Sequence, residues 1–332
     1  MKVRKLSRGI DEKFAEAFKQ NELFTLYKNH KDELFIGVRN NYLNLYYNCG
    51  SVAKVEYKQG KIVCETSKKY FSGSGVTKNK DISPSDICDN YTTIKGNIAE
   101  RSTPEKKAQS KLVILNNANK KSGWFCVDVE WAKAFDNKQQ KDSVDFRARF
   151  DIIAISKENN HEVALIELKY GSQALGGKSG IYKHIETFYK YMNEGYFDAK
   201  ENSHKKEIIE IIKSQIMLGL YVPEALRNLE KEWESLKAKS IKYKFYVITL
   251  NNNGKTAKHS IPKQTMAAYL FNNKRWGCEK LSTKIKVEKK FGDVTNKNNK
   301  LQVNFLFSEQ TLDNLNINDI IGGSCYDREI PR

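Results

Sequence analysis

The chain is 332 residues long, enough to bury a sizeable core in one large domain or two smaller ones. Its 57 lysines and arginines against 40 aspartates and glutamates leave a net charge of +17, a balance that favours a polyanionic partner, nucleic acid first. No apolar run is long enough to span a bilayer, and the start, MKVRKLSRGIDEKF, lacks the apolar segment of a secretory signal, so a membrane-spanning chain is disfavoured and a cytoplasmic one expected.

Residues 1–32 carry helical periodicity, with Phe14, Ala17, Phe18, Leu23, Leu26 and Tyr27 spaced for one or two short amphipathic helices. From Leu34 to Phe71 the period changes. Phe35–Val38, Tyr42–Tyr47, Val52–Tyr57 and Lys61–Thr66 alternate apolar with polar and are separated by turn residues, which predicts an antiparallel β-meander. Its tyrosines and lysines could stack bases and touch phosphates, although sheet preference alone accounts for them. Gly73 to Pro84 reads as a loop or linker without the spacing of a phosphate-cradling loop. Ser85–Lys111 is polar and charged, with a helix expected between Pro104 and Leu115. Trp124–Trp131 reads as a strand with Asp128 and Glu130 on one face. The six cysteines, Cys49, Cys64, Cys88, Cys126, Cys278 and Cys325, include no pair at zinc-finger spacing.

The stretch that follows carries the chemistry. Phe150–Ser156 and Glu162–Tyr170 are apolar runs flanking the turn Lys157-Glu158-Asn159-Asn160-His161, a predicted hairpin. Asp151 sits at the start of the first strand, and Glu167 and Lys169 near the end of the second, sharing a face. Folding about Asn159 brings Asp151 opposite residues 166–168. Three charges at one end of an apolar hairpin are costly to desolvate unless they bind something. Two carboxylates suit a hard divalent cation such as Mg²⁺, which keeps waters and accepts phosphate oxygens. A neighbouring lysine can orient a bound water or stabilise charge on phosphorus, so the set suits metal-assisted phosphodiester hydrolysis.

Arg149-Phe150-Asp151, a short hairpin and Glu167-Leu168-Lys169 together resemble the PD-(D/E)xK nuclease superfamily, over Trp124 to Asn251. Phe150 stands where that family usually has proline. The resemblance implies an α/β, restriction-endonuclease-like fold: a mixed central sheet flanked by helices, here with an N-terminal antiparallel β-meander and a helical insertion. It implies Asp151, Glu167 and the Leu168 backbone carbonyl as metal ligands, Lys169 as catalytic lysine, and Mg²⁺ or Mn²⁺ as cofactor. Many members have a further acid upstream, for which Glu130 is the first candidate and Asp128 the second.

Arg149 suits a phosphate contact through its planar fork, with a surface ion pair the ordinary alternative. GSQALGGKSG (171–180) has Ser172 where a Walker A motif needs glycine, and reads instead as a loop beside the site. In it, Gln173 is a candidate for positioning a water and Lys178 for contacting phosphate. Ile181, Ile185, Phe188, Tyr189 and Met192 mark a helix whose first turn holds Lys183 and His184, both candidate substrate contacts. Helices then follow at 207–220 and 223–240, strands at 242–250 and 301–308, a basic strand at 282–289 and a short helix at 264–272.

The division expected is 1–82, N-terminal helix plus meander; 83–260, nuclease core with a helical insertion at 205–240; and 261–332, an α/β extension. The leading functional expectation is a metal-dependent endonuclease of restriction, anti-phage defence or repair type, with DNA favoured over RNA as substrate; restriction enzymes of this core often act as dimers, which keeps a homodimer open beside a monomer. The alternatives are a non-catalytic nucleic-acid-binding protein and an RNase on the same core.

Overall fold

Asp11 accepts a hydrogen bond from the Phe14 N–H and Asn21 one from the Leu23 N–H, so two capped helices open the fold, α1 (Glu12–Lys19) and α2 (Glu22–Asn29). The computed structural model describes residues 8–73, 79–135, 146–158, 160–170, 181–193, 195–199, 203–236, 241–251, 286–287, 293–295, 300–308, 310–312 and 315–321. The meander expected next is present as β1 (Leu34–Val38), β2 (Leu43–Tyr47), β3 (Gly50–Lys58) and β4 (Lys61–Ser67), all antiparallel. Asn48 and Cys49 both take left-handed φ values, 46° and 58°, as a two-residue hairpin turn requires. Gly50 then passes so close to α5 (Tyr91–Arg101) that an added Cβ would lie 2.5 Å from Ile98 Cγ2, which fixes this turn against the helix.

Two expectations need correction. The segment read as a loop contains β5 (Asn79–Ile82), paired with β4 from Ser67↔Asn79 to Cys64↔Ile82. An edge strand this short is held by backbone hydrogen bonds and needs no apolar alternation, which is why the pattern missed it. The polar stretch after it is helical well before Pro104. Ser83 and Asp86 form a capping box for α4 (Pro84–Asp89), and Ile87, Tyr91, Ile94 and Ile98 bury the inner side of α4 and α5. α3 (Lys68–Phe71) precedes them, and α6 (Pro104–Ala118) follows, capped by Thr103 with Pro104 in its first turn.

The second sheet contains β6 (Trp124–Phe135), β7 (Phe146–Ser156), β8 (Val163–Tyr170), β9 (Tyr243–Leu250), β10 (Lys286–Val287), β11 (Asp293–Thr295) and β12 (Lys300–Phe307). Among the described residues its order is β10-β11-β12-β9-β8-β7-β6. β6, β7 and β8 are antiparallel neighbours, whereas β9 is parallel to both β8 and β12. Parallel neighbours demand a crossover, supplied between β8 and β9 by α7 (Ile181–Asn193), α8 (His204–Met217) and α9 (Leu229–Ser235). A short α10 (Ile317–Ile321) comes after β12. Among the described residues the chain is thus mixed α/β with two sheets. The helix expected at 264–272 lies outside the described residues, and of the basic strand only 286–287 falls within them.

The two faces of the second sheet bury different sets. Ile152, Ala154, Ile166, Leu168 and Ile248 join Ala108, Leu112 and Val113 of α6. Ile153, Ile155, Val163, Leu165 and Phe245 join Phe188 of α7, Ile208 of α8 and, in the same cluster, Phe14, Phe18, Leu34, Val52 and Ile94. The first sheet therefore shares a core with the second. A buried ion network binds them further: Asp128 accepts from Arg8 Nη1 at 3.0 Å and from Arg39 Nη1 at 2.7 Å, while Arg8 Nε lies 3.5 Å from Glu207. Arg39 also donates to the Val129 carbonyl and Arg8 to that of Ala132.

Candidate active site

Register places the acids. Ile152 pairs with Ile166, so the next residues outward, Asp151 and Glu167, are level across β7 and β8. Val129 pairs with Ile152 and Trp131 with Phe150, which sets Glu130 level with Asp151 on its other side. Three carboxylates thus form a row across β6, β7 and β8. On β8 the apolar alternation assigns Glu167 and Lys169 to the face that carries Val163 and Leu165, where α7 packs. That packing delivers His184, whose Nε2 is 3.0 Å from Glu167 Oε1. Lys169 Nζ is 2.5 Å from the same oxygen and 3.8 Å from Glu105 Oε1 of α6.

Glu130 reaches the row at a conformational cost. It is a strand residue with φ 52°, in the left-handed region that a non-glycine residue rarely adopts inside a sheet. Its carboxylate is ion-paired with Lys106 Nζ. Lys106 belongs to the first turn of α6, and Gln109, one turn on, donates from Nε2 to the Asp151 carbonyl at 2.5 Å. The Asp151 carboxylate itself accepts the Leu168 N–H at 2.8 Å through Oδ2. The Asn48–Cys49 turn of the first sheet also lies against the site: burial, reinforced by Glu130, pushes the Cys49 thiol well above its ordinary range.

The acids are driven apart in strength. Burial, then repulsion from Glu167, raises the Asp151 carboxyl well above the usual aspartate range. Burial pushes Glu167 the same way, but hydrogen bonds and charge from His184 and Lys169 outweigh it and hold Glu167 low. Burial works against the Lys169 ammonium, yet Glu167, Glu105 and Asp151 overcome it and keep its pKa above the ordinary lysine value. Lys106 is raised in the same manner by Glu130 and Asp151 against the cost of burial.

The structure therefore brings Asp151, Glu167, Lys169, Glu130 and His184 together, with Leu168 between the two β8 charges. Asp128, the other upstream candidate, is fully buried and held by two arginines, so it has a structural task. Arg149 is exposed on β7, two residues before Asp151 and opposite Ala132. Lys183 lies in the first turn of α7. Gln173 and Lys178 lie outside the described residues. Sequence reasoning missed Glu105, Lys106 and Gln109. The Thr103-Pro104 cap marks the helix that carries them, but nothing local says which sheet residues that helix will meet.

Among the described residues, no group of three or more His, Cys, Asp or Glu stands close enough to hold a metal ion by itself. Asp151 and Glu167, with a backbone carbonyl between Glu167 and Lys169, nonetheless match what Mg²⁺ takes from a protein, its remaining sites going to water and phosphate. The donors are all hard oxygens, and the acid row exceeds Lys106 and Lys169 in charge, so the residues fit a divalent cation. No helix among the described residues is long and apolar enough to cross a membrane. No protein-family model matches the sequence, and neither a curated protein nor a solved structure matches it.

Proposed function

We propose that the chain is a divalent-metal-dependent nuclease that hydrolyses phosphodiester bonds, with DNA as the preferred substrate. One observation carries this reading: Asp151 and Glu167 stand level on adjacent strands, with Lys169 two residues beyond Glu167 on the same face. The order α6, β6-β7-β8 antiparallel, α7, then β9 parallel to β8 supports a restriction-endonuclease-like core, in keeping with the resemblance of Arg149-Phe150-Asp151 and Glu167-Leu168-Lys169 to PD-(D/E)xK enzymes. The net charge of +17 supports a nucleic-acid substrate.

Asp151, Glu167 and the Leu168 carbonyl would hold Mg²⁺ or Mn²⁺, with Glu130 beside them. The bound ion would supply Lewis-acid polarisation of the phosphate and a lowered pKa for water. Lys169, kept protonated by three acids, acts as a charged donor that orients the attacking water and stabilises charge growing on the phosphoryl oxygens. His184 holds Glu167 in place, and exposed Arg149 is available to a phosphate of the bound strand. A nuclease of this kind suits restriction, anti-phage or repair work, in a cytoplasmic setting and as a homodimer.

A second reading has its own support. Glu167 is satisfied by Lys169 and His184 without any metal, as it would be in a non-catalytic nucleic-acid-binding protein whose charges are structural. Incubation with circular and linear, single- and double-stranded DNA, and with RNA, each with and without Mg²⁺, separates the two. Metal-dependent cleavage that Asp151→Asn and Lys169→Met both abolish is expected. Cleavage that survives both substitutions, or salt-dependent binding without any metal-dependent cleavage, sinks the nuclease. Cleavage confined to RNA would reassign the substrate.

A further inference from the structure

Lys106 lies against two acids of the row. Its ammonium is ion-paired with Glu130, interacts with Asp151 and lies 3.4 Å from Gln109 Oε1. Gln109 in turn grips the Asp151 carbonyl, and Thr103 Oγ1 accepts the Lys106 N–H at 3.3 Å, so both the backbone and the head of Lys106 are held over the acid row. On the far side Lys169 does the same to Glu167. Three carboxylates, Glu130, Asp151 and Glu167, are thus answered by two tethered ammonium groups. Lys169 belongs to the reading above. Lys106, on another element, does not.

We infer that Lys106 is the resident counter-ion of the Glu130–Asp151 pair and that a divalent cation fills the site by displacing it. Lys106 thereby sets the metal concentration at which the site loads. This inference rests on the metal-dependent reading of the same site. Glu130 fits the role: from a left-handed backbone its carboxylate pairs with Lys106 while repelling the neighbouring Asp151. Lys106 is a positioning residue. It acts through the carboxylates, and once displaced its ammonium becomes available to a phosphate oxygen.

The test is Mn²⁺ titration of the full-length, chelator-stripped protein by calorimetry, with no nucleic acid present. Lys106→Met is expected to bind Mn²⁺ about tenfold more tightly than wild type, since a positive charge facing the ion is removed in a partly buried site. Lys107→Met, one residue along the same helix, is expected to leave the affinity within about twofold, the effect of a charge screened by solvent. The gain from Lys106→Met is expected to vanish in a Glu130→Gln background, because the two residues act through one contact. Lys106→Gln serves if the methionine variant does not fold. Unchanged or weaker Mn²⁺ binding in Lys106→Met, with wild type binding normally, overturns the inference and leaves the nuclease reading standing. Absence of Mn²⁺ binding in every variant, wild type included, overturns both.

Discussion

Asp151 and Glu167 are neighbours with opposite tendencies, and the difference lies in who stands beside them. Glu167 has a lysine and a histidine on one oxygen, whereas Asp151 has one backbone N–H and two flanking acids whose repulsion, added to burial, outweighs Lys106 and Lys169. An acid whose folded pKa exceeds its unfolded one binds more protons folded than unfolded, so it costs stability as pH rises from about 4 through the raised value. Asp151→Asn removes that cost while keeping an oxygen for the Leu168 N–H. The metal-free variant is expected to melt above wild type at pH 7, with the gap closing as pH falls toward about 4. A variant that melts below wild type at neutral pH would show that the carboxylate is not under strain. The residues proposed to carry the chemistry were legible because strand alternation and a short turn suffice to bring Asp151 and Glu167 level, with Lys169 two residues on. Lys106 and Gln109 were not, since the position of a helix over a sheet is decided by distant packing.

At the scale of elements, β6 departs from regularity twice. An extra residue enters between Cys126 and Asp128 in its pairing with β7, and two residues later Glu130 turns left-handed. In an ordinary strand, glycine is less stable than alanine. Here the order should reverse. Glu130→Gly is expected to unfold at higher urea than Glu130→Ala, by about 1 kcal/mol in stability, because glycine adopts a positive φ without penalty. The ordinary order would mean that Glu130 carries no backbone strain. The β7–β8 hairpin, α7 and β9 could be read directly from apolar periodicity. β5 could not, three of its four residues being polar, and α4 and α5 were masked by charged outer faces that hide Ile87, Ile94 and Ile98.

Across the molecule, the two sheets are bonded by a charge cluster as well as by a shared apolar core. Asp128 has no exposed surface and pairs with both Arg8 from before α1 and Arg39 from beyond β1. Asp128→Ala leaves the buried Arg39 guanidinium without its carboxylate and Arg8 with Glu207 alone, and is expected to cost roughly 3–5 kcal/mol in urea unfolding. A loss below about 1 kcal/mol would place the pair in solvent contact. No sequence pattern foretells this cluster, because its members lie 89 and 120 residues apart in the chain.

That cluster also decides how the protein can be divided. A fragment starting at Pro84 would keep every residue of the acid row, yet it would strand Asp128 at an apolar surface with neither arginine to answer it. Such a piece should be recovered only as aggregates, and co-expression with the severed 1–83 portion should restore it to solution. The first sheet would then be less an accessory than the missing half of a lock.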